Sequence, residues 1–82
     1  MTTNNIKLLD VVALTTDLPE ENLWRGQVGT VVEILADGAA FEVEFSDQQG
    51  RTYESLGLRP EQFMVLRFEP AYPNSQPEMI TA

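Results

Sequence analysis

Any catalysis by this chain would have to start from carboxylates, hydroxyls or a lysine, because its 82 residues contain neither His nor Cys. Hydroxyl side chains such as Thr15, Thr16, Thr30, Ser46 and Ser55 have no imidazole to activate them. Lys7 offers an amine, but it opens a predicted edge strand, where an ammonium stays solvated and protonated. Glu42 and Glu44 form a carboxylate pair at i and i+2 of a strand, about 7 Å apart on one outward face. That spacing approaches what glycoside chemistry uses. The pair lacks a cleft and flanking aromatic platforms, so it reads as a solvated strand face. Asp47-Gln48-Gln49-Gly50 supplies a single carboxylate and does not match the alternating acids of a calcium loop. A hairpin turn accounts for it. Gly26 and Gly29 are not followed by the Gly-Lys-Ser/Thr ending of a phosphate loop, nor by a helix. The residues therefore assign no catalytic group, no cofactor site and no metal site, and the expectation is that the chain is not an enzyme.

The residues better suited to recognition cluster in one stretch. Trp24 is the single tryptophan, and this residue type is enriched where proteins bind one another. Asp17, Glu20 and Glu21 make an acidic loop just before it, and Arg25 follows it. Tyr53 could complete such a surface. Two readings of Trp24 stand side by side. It could cover one end of a barrel as a lid, with its indole N–H bonded to a loop carbonyl, or it could be a contact residue for a partner.

The elements that must position these residues are short strands. Lys7 to Thr15 is rich in Leu and Val, and its length and β-branching predict a strand. A compact loop follows, in which Leu18 and Leu23 fold back as anchors and Pro19-Glu20-Glu21 suits one helical turn. A second strand runs from Val28 to Leu35. Its adjacent Val31-Val32 and Ile34-Leu35 break the alternation and predict a bulge. Asp37-Gly38 signals a hairpin. In the third strand, Ala40 to Ser46, Phe41, Val43 and Phe45 turn inward while Glu42 and Glu44 turn out. Arg51 to Ser55 makes the fourth strand. A 3-10 turn at Pro60-Glu61-Gln62 precedes the fifth, Phe63 to Phe68. Five short strands with tight turns bury one face only by curling. The predicted core is Leu9, Val11, Ala13, Val28, Val32, Ile34, Phe41, Val43, Phe45, Leu58, Met64 and Leu66, with the choice between Val31 and Val32 resting on the bulge.

Length allows one domain. Residues 1–5 read as a flexible N-terminus and 6–68 as the folded unit. Residues 69–82 form a Pro-rich tail (Pro70, Pro73, Pro77) in which no regular element is expected to persist. Thirteen acidic residues face five basic ones, a formal charge of −8. Such a surface repels phosphate backbones and anionic lipid heads, which disfavours nucleic acid and membranes; it favours solubility, the plainer reading, or a protein partner with a basic patch. No stretch approaches the ~20 apolar residues of a membrane span, and no basic-then-apolar start marks a secretory signal. With no cysteine, the chain is expected to be a cytoplasmic protein. The Leu8-Leu9 and Val11-Val12 doublets leave apolar surface for a homodimer through an edge strand, with Lys7 to Thr15 as the expected edge.

This layout, with Gly26, Gly29-Thr30-Val31-Val32 and Phe41 to Phe45 at its centre, resembles a small five-stranded SH3-like barrel of the all-β class. More closely, the chain resembles a family of short bacterial proteins known as domain of unknown function 4926. The resemblance is carried by Leu9 to Leu14, Asp17 to Glu20, Leu23 to Gly26, Gly29 to Val32, Glu42 to Phe45, Asp47 and Gly50. It implies the barrel and assigns no activity. The Gly26 to Ile34 run is also similar to an RNA-associated SH3-like motif, whose members are basic where they meet RNA, as this chain is not. Trp24, Gly29-Thr30-Val31 and Phe63 sit at points comparable with small barrel subunits that dock electron carriers, but a shared fold does not transmit function. The sequence thus supports a non-enzymatic protein-interaction module, for instance an acidic antitoxin-like, immunity-like or adaptor protein. The alternative is a nucleic-acid-binding or electron-transfer accessory subunit.

Overall fold

The computed structural model describes residues 5–70. Five strands build one antiparallel sheet: β1 (Val11–Leu14), β2 (Val28–Leu35), β3 (Ala40–Ser46), β4 (Thr52–Leu58) and β5 (Phe63–Val65). Their spatial order is β4-β3-β2-β1-β5. Three 3-10 turns interrupt the strands, at Pro19–Glu21, Ala36–Gly38 and Pro60–Gln62. The last stands immediately before β5, as an SH3-like barrel requires. There the Gln62 side-chain carbonyl accepts a hydrogen bond from the Arg59 backbone N–H at 2.7 Å. The Arg59 guanidinium hydrogen-bonds the Glu61 carboxylate at 2.9 Å and holds its pKa below the ordinary 4.5.

The sheet must curl to bury its inner face. Phe63 on β5 and Phe41 on β3 lie on strands that are not neighbours in the sheet order. Their rings nevertheless meet edge to face, with centroids 5.9 Å apart and planes at 88°. Such a pair adds about 0.5–1.5 kcal/mol beyond the area it buries. The core is Val12, Leu14, Leu23, Val31, Phe41, Val43, Phe45, Leu58 and Phe63. Ile6, Leu18, Leu56 and Val65 pack against it.

The middle ribbon matches the reading of the sequence. β2 and β3 have the expected bounds, and Phe41, Val43 and Phe45 are buried. The bulge lies between Val31 and Glu33, where the β2–β3 register shifts. Val32 is the extra residue, so Val31 points in and Val32 is exposed.

Elsewhere the core assignment is corrected. β1 turns Val12 and Leu14 inward and leaves Val11 and Ala13 half-buried. Four consecutive apolar residues fit either parity. The choice is made by Gly29, whose place opposite both Val12 and Phe45 opens room on the inner face. Leu9 is 74% exposed with φ +72, in a turn closed by Lys7 N–H to Asp10 Oδ2. That turn shortens β1 from the expected Lys7 to Thr15. Ile34 shares the inner face with its partner Phe41 but lies at the far end of the ribbon and stays exposed. Val28 and Met64 flank Ala13 on the outer face and are exposed, while Leu66 is half-buried. β4 extends to Leu58 instead of stopping at Ser55, and β5 stops at Val65. β1 lies between β2 and β5, so Lys7 to Thr15 is not a sheet edge. Of the tail prolines, Pro73 and Pro77 lie outside the described residues, as do positions 1–4 of the N-terminal segment.

Candidate functional site

The site is built by the connection from β1 to β2. Leu18 and Leu23 pair as a small bridge, Leu18 N–H to Leu23 O at 2.8 Å and Leu23 N–H to Leu18 O at 3.1 Å. The 3-10 turn Pro19–Glu21 fills the space between them. It ends at Asn22, which takes a left-handed conformation that a short polar side chain tolerates. Leu23 is fully buried. The loop is therefore pinned to the core from one side, and its acids are displayed on the other. Glu20 and Glu21 are exposed.

Trp24 follows the buried anchor directly and is 48% exposed. It begins a tight turn in which Gln27 N–H donates to Trp24 O at 3.0 Å. Gly26, at φ +97, gives that turn a backbone shape few other residues hold. The Gln27 side chain has two jobs. Its Oε1 accepts from the Trp24 backbone N–H, and its Nε2 donates to Tyr53 Oη at 2.9 Å. Tyr53, on β4, is 47% exposed and leans over Phe45 with ring centroids 6.5 Å apart. Among the described residues the Trp24 indole N–H meets no acceptor, so the hydrogen-bonded lid expected as one reading is not formed there.

The predicted residues divide in role. Gln27 joins the Trp24 backbone to Tyr53, while Arg25 follows Trp24 in the same turn. Asp17 is part of the frame: its Oδ1 accepts the Arg25 backbone N–H at 2.9 Å and ties the start of the loop to its end. The Arg25 side chain is exposed and forms no ion pair among the described residues. Gln27 is a site residue that sequence reasoning misses. It lies inside a glycine-rich run whose conspicuous feature is the backbone, and nothing local signals that its amide joins this turn to β4.

The other candidates fall elsewhere. Glu42 accepts a hydrogen bond from Ser55 Oγ at 2.7 Å on the outer sheet face. Asp47 Oδ1 accepts from the backbone N–H groups of Gln49 and Arg51, which makes it the keystone of a turn. Among the described residues no group of three or more acidic, His or Cys side chains is placed to hold a metal ion, and no helix is long and apolar enough to cross a membrane. An open groove of about 340 Å³ runs along Asp10 and Val65 to Pro70, and none of the predicted site residues lines it.

Residues 8–65 match the family model described as domain of unknown function DUF4926. No curated protein and no solved structure matches the chain.

Proposed function

The chain belongs to the DUF4926 family, and we propose that within that fold it is a non-enzymatic protein-interaction module working in the cytoplasm. Its contact surface is Trp24 and Tyr53, bordered by Glu20, Glu21 and Arg25. The observation that carries this reading is the half-exposed Trp24 with an indole N–H that meets no acceptor among the described residues. A large apolar ring with an unused donor is suited to a partner that covers the ring and accepts the N–H. Gln27 supports the reading by holding the Trp24 backbone and the Tyr53 hydroxyl before any partner arrives, which lowers the ordering cost of association. The −8 charge and the two loop glutamates favour a basic segment as the occupant.

The test uses the tagged full chain as bait in lysate of its native host, beside the Trp24→Ala variant. The expected result is a basic protein retained by the wild type and lost with the variant. A peptide from that protein should then blue-shift the emission of the single tryptophan. Identical captures by the two baits, or none by either, overturn the proposal.

A further inference from the structure

We propose that the free edge of β4 is a dimerisation surface, on which a second copy of this chain adds its own β4 antiparallel to form one continuous sheet. The backbone directions follow from β2. Val31 N–H donates to Asp10 O at 2.9 Å, and its carbonyl accepts Leu9 N–H at 2.7 Å. In an antiparallel sheet both groups of a residue face the same neighbour, and successive residues alternate. Val31 therefore faces the β1 side, and its cross-strand partner Val43 faces β4. Val43 stands opposite Leu56, so Leu56 directs its N–H and C=O back to β3. Ser55 and Gly57 direct theirs outward. β4 ends the sheet order, and among the described residues nothing pairs with that side.

Natural edges are blunted by shortness, lysine, proline or a bulge. β5, the opposite edge, is three residues long. β4 has seven, without lysine or proline, and its one register shift falls at the Thr52 end. Gly57 adds an independent pointer. Its φ is not positive, and a Cβ there would make ordinary contact, 3.6 Å from Leu35 Cδ1. Nothing among the described residues calls for glycine in mid-strand, where glycine is unfavourable and often marks close approach by another backbone.

A second copy is the occupant because the edge is self-complementary. A two-fold axis through Leu56 sets Ser55 opposite the partner's Gly57, and Gly57 opposite the partner's Ser55. Each pair exchanges two backbone hydrogen bonds, four in all. The half-buried Leu56 side chains meet across the axis as a non-hydrogen-bonded pair. Glu54, the charged residue of β4, falls opposite the partner's Leu58. The two Glu54 carboxylates are then about 13 Å apart, beyond the screening length at physiological salt. Such a contact is isologous and stops at two copies.

Sedimentation of the full chain decides it together with amide hydrogen exchange. The mass should rise from 9.2 kDa towards twice that between about 10 μM and about 1 mM. The Ser55 and Gly57 amides should slow about tenfold over the same range. Added salt should strengthen association, since each copy carries −8. Gly57→Pro deletes one outward donor without touching a bond to β3, and a folded variant should remain monomeric. If that variant does not fold, the wild-type exchange data decide the matter. A constant monomer mass, a dimer in which both amides exchange freely, or a folded Gly57→Pro that dimerises like the wild type overturns the proposal.

Discussion

Gly29 and Gln27 carry more of this molecule than their size or position suggests. Gly29 is buried on the inner face, and a methyl group there would lie 2.7 Å from Val43 Cγ1, 2.9 Å from Glu44 O and 3.0 Å from Phe45 Cδ2. Two of those neighbours are core side chains and one is backbone, so none can yield cheaply. Gly29→Ala should destabilise the fold by about 1–3 kcal/mol, the usual range for overpacking, and urea denaturation will read it. A cost near zero would mean that Phe45 does not lie across this position. Gln27 matters through its amide, which joins the Trp24 backbone to the Tyr53 hydroxyl. The glycines of this run are visible as a pattern of residue types. The reach of one glutamine side chain to a residue 26 positions away is not.

At the scale of elements, the β1–β2 connection behaves as a small folded unit. It has its own bridge, its own 3-10 turn and one buried anchor. Leu23 joins that unit to the core, and truncating it leaves a cavity beneath the loop. Leu23→Ala should cost about 2–5 kcal/mol. It should also red-shift the emission of Trp24, the adjacent residue, as the loop loosens. Thermal denaturation followed by tryptophan fluorescence will report both. A stability loss with unchanged emission would show that Gln27 and Asp17 hold the Trp24 turn without the anchor. The anchor role of Leu18 and Leu23 is legible in the sequence, because two apolar residues bracketing a polar Pro-Glu-Glu segment have few other places to go. The parity of β1 is not, because Val11, Val12, Ala13 and Leu14 offer no polar residue to mark the outside.

For the whole molecule, charge is the strongest influence outside the core. Thirteen acids against five bases leave −8 on a small globule. The ion pairs that could offset it, Arg51–Asp47 at 3.3 Å and Arg59–Glu61 at 2.9 Å, are largely exposed, and such pairs contribute little. Net self-repulsion therefore opposes compaction, and salt screens it. Raising ionic strength from low to physiological should raise the melting temperature by a few degrees, read by circular dichroism. A fall in melting temperature would mean that the two exposed pairs outweigh the repulsion. The same balance ties the proposed dimer to salt.

Strand count, the alternating β3, the bulge in β2, the 3-10 turn before β5 and the −8 charge can all be read from the chain, because each depends on neighbours within a few residues or on composition. Which side of β1 meets the core, how far β4 runs, and which strands end as sheet edges are settled by long-range pairing. Gly29 must face Val12 and Phe45 at once, and β1 must enter between β2 and β5. The joining of Trp24 to Tyr53 through Gln27 belongs to that second kind. It exists because a curled sheet brings the start of β2 beside the start of β4, a proximity that no spacing along the chain encodes.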